Sequence, residues 1–283
     1  MSDDAFDLET YVHRIAYHGP RTASLAVLAD IIACHSAIIP FENIDVFLGR
    51  PIPIDAASVA AKLIQAGRGG YCFEQNTLLH SALTTLGFGA TPRLARVIRG
   101  MAADAGTPRT HMMLSVDLPE GTFLADVGFG NLTPTAPLAL SRGDAQMTRH
   151  ERFRVRPLGS EYLVEVEIGG TWQNLYLVSP EVPLPADLEV ANWFTATNPA
   201  APFVNNLVVA RPGHATRHTM FNTHVARRTM AGESQTRKLG SLEDYRAELR
   251  DGFGLSLSEP DLTSVVTKME KRVARDQAQG FFA

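Results

Sequence analysis

Cys72 stands in the run Arg68-Gly69-Gly70-Tyr71-Cys72-Phe73-Glu74-Gln75-Asn76, and its surroundings suit a nucleophile better than a packing residue. Two glycines lead into it, a lead-in with no packing purpose visible in the sequence. Leu78, Leu79, Leu83 and Leu86 follow at helical spacing, closed by Gly87, a residue that suits a helix C-terminal cap. The spacing predicts a helix that begins at the thiol. In the first turn of a helix, free backbone N–H groups and the positive end of the macrodipole favour thiolate over thiol. The other cysteine, Cys34, lies in the apolar run 25–39 and reads as a small buried hydrophobe. The two form neither a disulfide framework nor a CxxC pair, which places the chain in a reducing compartment.

A cysteine nucleophile needs a base and, as a rule, a group that orients the base. Of the nine histidines, His80 falls two turns along the Cys72 helix, about 12 Å away at ~1.5 Å per residue, out of reach. His111 opens a strand directly after the irregular stretch 100–110, beside a loop of the kind that carries function. Taken alone, a histidine there is more often structural or solvated than catalytic. Asp126 changes that balance. It lies in Phe123-Leu124-Ala125-Asp126-Val127-Gly128-Phe129-Gly130, an apolar strand expected to be buried. A buried carboxylate without a partner costs on the order of several kcal/mol, so this one should be bonded to something specific. The rival orienter, Asp117, shares the His111 face by parity but lies roughly 20 Å along the strand. The strand register is open at this level, so contact between Asp126 and His111 is an inference; the order Cys…His…Asp favours a triad. Backbone N–H groups at the start of the Cys72 helix suit a developing oxyanion. Arg68 and Glu74 are expected to pair and brace the loop.

The chemistry has to be held by a sizeable scaffold. At 283 residues the chain suggests two or three domains. Hydrophobic residues at 45% and charged residues at 20% are ordinary for a globular enzyme, and a net charge of −4 argues against a nucleic-acid partner. The acidic start lacks the cationic and apolar regions of a signal peptide, and no apolar run approaches the ~20 residues of a membrane span. These features predict a cytoplasmic protein with no membrane partner.

The first third reads as helical: 8–17 capped by Asp7, 24–37 capped by Thr22 and stopped by Pro40, a third after Asp55 ending at Gly67, then the Cys72 helix. The period then changes to that of strands. Residues 111–118 and 122–127 flank Pro119-Glu120-Gly121 as a hairpin, and 153–158, 162–168 and 171–178 continue the pattern, with Gly169-Gly170 as a tight turn. Helix returns at 187–197. Strands are expected at 203–210 and 218–227, and two helices close the chain, one after Ser241 with Asp244 in capping-box position and one over 262–279.

Arg68–Asn76, the His111 strand, Asp126-Val127-Gly128-Phe129-Gly130 and the earlier Pro40-Phe41-Glu42-Asn43-Ile44-Asp45 together resemble the arylamine N-acetyltransferases, in order and from about Tyr11 to the last helix. The resemblance implies an α+β fold in three parts: an N-terminal helical bundle (1–88) carrying the nucleophile, a central antiparallel β-barrel (89–195) carrying the histidine and aspartate, and a C-terminal α/β lid (196–283). It implies a cysteine-protease-like triad of Cys72, His111 and Asp126. It also implies transfer of an acetyl group from acetyl-CoA, as co-substrate and without a metal, to an arylamine, arylhydrazine or heterocyclic hydrazine. CoA is placed near Gly128, Gly130, Thr107 and Thr110, and Phe129 and Phe203 would wall an aromatic acceptor. The long insertion typical of vertebrate members is lacking, so the chain looks bacterial in type; a homodimer is compatible with it. Two rival classes share the same residues. One is a cysteine amide hydrolase or transglutaminase-like enzyme, which would have no reason to bind CoA; the other is a catalytically retired binding protein.

Overall fold

The structure, a computed structural model, describes residues 6–140 and 143–278. Helix α1 (Leu8–Arg14) is capped by Asp7, whose carboxylate accepts from the Glu9 N–H at 2.9 Å. It ends short of Tyr17 because Ala16 turns into the left-handed region with φ 52°. Helix α2 (Leu25–Ile38) takes its cap from Ser24, not Thr22: the Ser24 hydroxyl accepts from the Val27 N–H at 3.3 Å. A two-residue strand β1 (Phe41–Glu42) and a single turn α3 (Ile44–Phe47) follow. Helix α4 (Ala56–Ala60), capped by Asp55, widens into a π-type turn over Ala61–Gln65. Helix α5 (Cys72–Thr85) starts at the cysteine and is closed by Leu86 and by Gly87 at φ 84°.

Strands β2 (Gly89–Val97), β3 (Arg109–Leu118), β4 (Gly121–Ala125), β5 (Leu138–Ala139), β6 (Gln146–Met147), β7 (Arg152–Leu158), β8 (Glu161–Ile168) and β9 (Thr171–Val178) form one antiparallel sheet in the order β5-β4-β3-β2-β9-β8-β7-β6. The sheet curls until its two edges meet. The Gln146 side chain on β6 accepts from the Ala139 N–H at 2.7 Å and donates to the Ala139 carbonyl at 2.9 Å. One amide thus occupies both backbone groups of a residue on β5 and closes the barrel, which leaves little open edge. β2 was not legible as a strand, since Pro92, Arg93 and Arg96 break its alternation; it is nevertheless the central strand that joins the β3–β5 half to the β6–β9 half.

Helices α6 (Pro185–Thr197) and α7 (Pro202–Asn205) lead to a second sheet. This holds β10 (Val208–Pro212), β11 (Thr216–Phe221), β12 (His224–Thr229) and β13 (Ser234–Lys238), with β1 added to β10, in the order β1-β10-β11-β12-β13. Two expectations change here. The strand foreseen over 203–210 begins as helix α7, because Pro202 occupies the first helical position and the Asn206 side chain bonds back to its carbonyl. The strand foreseen over 218–227 is a hairpin, folded where Asn222 takes φ 56°. Helices α8 (Leu242–Ala247), capped by Ser241 with Asp244 reciprocating, and α9 (Glu259–Ala278) cover this sheet. Gln279, the expected end of the last helix, lies outside the described residues. Among the described residues no helix is long and apolar enough to cross a membrane.

The architecture is α+β in three parts, bundle, barrel and lid, and the parts interlock. Met112, Leu114 and Val116 point from β3 into the core built around α5, while Met113 points into the barrel with Leu124, Phe153, Val164 and Tyr176. Ile44 and Phe47 from the N-terminal third pack into the lid core with Leu207, Phe253 and Val265. The loop before α5 threads between these parts. A Cβ on Gly69 would lie 2.1 Å from the Pro40 carbonyl oxygen, so the chain passes there only without a side chain. Gly69→Ala should therefore cost at least about 1–3 kcal/mol in a urea unfolding titration. Gly106→Ala, with nothing within 4 Å of its Cβ position, should stay within about 0.5 kcal/mol. Equal midpoints for the two variants would refute this account of the glycine lead-in.

Candidate active site

Tyr71, extended at φ −95° and ψ −171°, is the N-cap of α5, and Cys72 is its first helical residue. The thiol is buried at 3% exposure, with its Sγ 3.8 Å from the Thr110 carbonyl oxygen on β3. Each neighbour in the run has a partner that fixes this placement. The Tyr71 hydroxyl donates to the Asn192 side chain on α6. Glu74 reaches back to the Tyr71 N–H at 3.1 Å and holds the Lys62 ammonium at 2.7 Å. Gln75 Oε1 accepts from His35 Nε2 at 2.6 Å, and its Nε2 donates to the carbonyls of Pro40, at 2.8 Å, and Gly70, at 3.2 Å.

The expected Arg68–Glu74 pair does not form. Arg68 instead binds Glu42 at 2.6 Å and Asp45 at 3.2 Å, because Glu74 is turned inward to the helix start and Lys62. Lys62 also holds Asp45 at 2.7 Å, so the two basic groups lie in one buried cluster with three carboxylates. His35 sits beneath, fully buried between Gln75 and the Tyr11 hydroxyl at 2.9 Å; burial, with the Arg14 charge, pushes its pKa down to about 4 against the Gln75 hydrogen bond, so it is neutral.

Asp126 follows the last residue of β4 and is buried at 2% exposure. Its Oδ2 accepts from His111 Nε2 at 2.8 Å and from the Tyr176 hydroxyl at 3.2 Å. Its Oδ1 accepts from Asn76 Nδ2 at 3.1 Å and from the Gly128 N–H at 2.8 Å. With Nε2 committed to the carboxylate, Nδ1 is the ring nitrogen left for Cys72. Burial alone would lower the His111 pKa, but the Asp126 charge and hydrogen bond, with a further hydrogen bond and charge from Cys72, raise it to about 10. Burial alone would raise the Asp126 carboxyl; the His111 charge and the bonds from His111, Gly128 and Asn76 outweigh it and hold the pKa below the ordinary carboxylate value. Asp117 is exposed and engaged by the Thr122 hydroxyl at 2.6 Å, far from this cluster.

The remaining expected residues divide into two groups. Phe129 stands edge-on to the His111 ring at 5.0 Å and against Tyr176 at 4.8 Å. Phe203 is placed with Phe41, at 5.6 Å, and Tyr71, at 6.3 Å. Gly128 owes its lack of a side chain to the protein itself: a Cβ there would meet Cys72 Cα at 2.7 Å and Asn76 Nδ2 at 2.8 Å. Gly130 lies over the Phe41 ring. Thr107 is outside this contact network, and its buried hydroxyl has no hydrogen-bond partner among the described residues. Thr110 lines a cleft of about 490 Å³ between β3 and α6, together with Leu94, Arg109, Val190, Ala191 and Phe194. Such a volume takes a ligand of ordinary cofactor or drug size. Tyr176, Asn76 and the Gln75–His35 pair were not assigned roles from sequence. Asn76 and Gln75 stood inside the Cys72 run, but Tyr176 carried no signal beyond its place in a strand.

Residues 24–262 match the N-acetyltransferase family, which makes the chain an acyltransferase. An arylamine N-acetyltransferase of Mycolicibacterium smegmatis is 36% identical over 259 residues, 90% of this chain and 94% of the relative. The solved arylamine N-acetyltransferase of M. tuberculosis superposes with a TM-score of 0.87 at 35% identity, covering 92% of this chain and 99% of the other. The Mycobacterium marinum enzyme, solved in complex with CoA, does so with a TM-score of 0.86 at 33% identity, covering 94% and 98%. The chain belongs to the arylamine N-acetyltransferase family.

The two buried histidines predict opposite pH dependences. His111, raised to about 10, contributes stability that is complete below its unfolded value of ~6.5 and fades as pH climbs through 10. His35, lowered to about 4, contributes stability that is complete above ~6.5 and is lost as pH falls toward 4. Unfolding free energies measured from pH 5 to 10 should show His111→Gln flattening the alkaline limb and His35→Gln the acid limb. An alkaline limb unchanged in His111→Gln would contradict the assigned charge pair.

Proposed function

We propose that the protein moves an acetyl group from acetyl-CoA to an arylamine, arylhydrazine or heterocyclic hydrazine through a thioester on Cys72. The observation that carries this reading is the buried 2.8 Å bond between His111 Nε2 and Asp126 Oδ2, beside a thiol at the N-terminal turn of α5. His111 Nδ1 takes the Cys72 proton, and the thiolate attacks the thioester carbonyl. Donor N–H groups at the start of α5 suit the oxygen of the tetrahedral state. CoA leaves as a thiol with the proton held by His111, and Cys72 is left acetylated. The acceptor amine then attacks the acetyl carbon, His111 accepts the amine proton, and the thiolate is restored as the amide departs. Asp126 holds the imidazole in one tautomer and stabilises its charged form. Two half-reactions on one nucleophile give ping-pong kinetics.

Phe129, packed on the His111 ring, and Phe203, beside Tyr71, are proposed to wall the acceptor ring. The free hydroxyl of Thr107, Thr110 in the cleft, and the backbone of Gly128 and Gly130 are proposed to meet the donor. Membership of an acyltransferase family sets aside the amide hydrolase and the retired binding protein.

Acetyl-CoA alone should add one acetyl group to Cys72, seen by intact mass, with release of one equivalent of CoA. Iodoacetamide at pH 6 should modify Cys72 ahead of Cys34 and abolish activity. Access alone would favour the reverse order, since Cys34 is more exposed, and burial with the Asp30 charge raises the Cys34 thiol pKa. No acetylated protein, or activity surviving in Cys72→Ala, would end the thioester mechanism.

Asp126→Asn keeps the shape of the side chain while removing its charge. Turnover should fall at least about a thousandfold, and Cys72 in the folded variant should lose its reactivity at low pH. A folded variant with thiol reactivity and turnover both intact would show that another acid orients His111.

A further inference from the structure

The buried ion cluster beside the Cys72 run holds an excess of negative charge that the proposed chemistry leaves unused. Lys62 and Arg68 face three carboxylates, Glu42, Asp45 and Glu74. Arg50 joins them on Asp45 at 3.1 Å but brings Asp261 with it, so the excess stays. The compensation is uneven. Glu42 takes Arg68 through Nη2 at 2.6 Å and Nε at 2.9 Å, and the Ile44 N–H at 2.7 Å. Asp45 is shared by Lys62 at 2.7 Å, Arg50 at 3.1 Å and Arg68 at 3.2 Å. Among the described residues Glu74, 3% exposed, has Lys62 at 2.7 Å, which it shares with Asp45, and a neutral donor, the Tyr71 N–H at 3.1 Å. It is the carboxylate of the three with the least positive charge beside it, and so the first to take up a proton. Burial, with the Glu42 charge, outweighs Lys62 and the Tyr71 bond and raises its pKa to about 7.

The place of this carboxyl ties it to the thiol. Tyr71 is the N-cap of α5 and Cys72 its first helical residue, so the N–H that Glu74 holds lies directly before the nucleophile. Gly70 makes room for the contact: a Cβ there would lie 2.8 Å from Glu74 Oε2. Both carboxylate oxygens already face donors, Oε1 the Lys62 ammonium and Oε2 the Tyr71 N–H. A proton added to either oxygen competes with the donor in place, so protonation loosens one of the two contacts. The fold itself does not call for a charge here. A glutamine would offer the Tyr71 N–H an acceptor without adding to the excess. A carboxyl raised from 4.5 to about 7 contributes stability that is complete below 4.5 and is lost as pH rises through 7. Ionised Glu74 therefore weakens the fold, and groups of that kind collect where function requires them.

We propose that Glu74 is a proton-responsive positioning residue for Cys72: ionised, it fixes the start of α5 between Lys62 and the Tyr71 N–H; protonated, it lets the thiol shift. Displacement by ~1 Å is enough to lower reactivity about a hundredfold. The charged and titratable groups that face Glu74 are Lys62 on the π-type turn, Arg68 in the glycine loop, Glu42 on β1, Asp45 on α3 and Cys72 on α5 itself. The Tyr71 hydroxyl, raised far above its usual range by burial, stays neutral throughout. The assignment rests on the reading that Cys72 is the nucleophile.

The test follows the rate of Cys72 alkylation by iodoacetamide, which needs no acyl donor, from pH 5 to 9. In the unsubstituted protein the rate should fall at least about tenfold on the acid side of an inflection near 7. Glu74→Gln, of the same size and always neutral, should remove that inflection, and at pH 8 should unfold in no less urea than the unsubstituted protein. Lys62→Gln takes away the cation that keeps Glu74 ionised, so the inflection should move up by at least about one unit. A purely structural role would leave the inflection where it is. Difference infrared spectroscopy of the unsubstituted protein, which needs no variant to fold, should show a buried carboxyl losing its proton near pH 7. The same inflection in folded Glu74→Gln, an unmoved one in Lys62→Gln, or no carboxyl titrating near neutrality would overturn the proposal. Cys72 unreactive at every pH would instead sink the nucleophile reading, and this proposal with it.

Discussion

A carboxylate cannot stay ionised out of water unless other groups replace the water, and the centre of this protein is built around meeting that demand for Asp126. Its two oxygens accept four hydrogen bonds, from Asn76 on α5, His111 on β3, the Gly128 backbone and Tyr176 on β9. Those donors come from separate stretches of chain, so the charge is stable only after bundle and barrel have docked. Removing one partner from such a group is expected to cost on the order of 3–5 kcal/mol. The same network engages only one ring nitrogen of His111 and leaves the other free of the carboxylate. Folding and the proposed chemistry therefore make the same demand on these residues.

The second tier of organisation is the run before and through the start of α5. Arg68, Tyr71, Glu74, Gln75 and Asn76 each bind a different part of the molecule: the Glu42–Asp45 segment, α6, Lys62, the Pro40 turn with His35, and Asp126. Gly69 and Gly128 are where backbone passes too close to other atoms for a Cβ, against Pro40 and Cys72 respectively. Most of the features that mark the motif thus hold the thiol still. Rigid placement is itself chemically useful, since displacement of a reacting group by ~1 Å can cost about a hundredfold in rate.

The division into bundle, barrel and lid is real as architecture but is crossed by packing. β1 from the N-terminal third is an edge strand of the lid sheet, and the lid core takes in Ile44 and Phe47. The Pro40–Asp45 segment accordingly touches all the surroundings of the site: the glycine loop, the lid sheet and the buried ion cluster. Arg217 and Glu151 tie lid to barrel in a comparable way on another face.

By itself the sequence determined the local chemistry and the local elements. A thiol behind two glycines and ahead of a helical leucine pattern had to open a helix, and α5 runs from Cys72 to its close at Leu86 and Gly87. The caps at Asp7, Asp55 and Ser241, the β3–β4 hairpin and the β7–β9 strands followed from neighbouring residues in the same way. Whatever depended on distant partners was not legible. β2 has a poor strand pattern and is a strand because β3 and β9 flank it. The helix at Pro202 and the hairpin at Asn222 turn on single backbone conformations inside an apolar run. The partners of Arg68 and Glu74 were exchanged because several opposite charges compete within one cluster, and only three-dimensional distance chooses among them. Tyr176 joined the site for the same reason: register across the barrel, which residue order does not encode locally, brings its hydroxyl to Asp126.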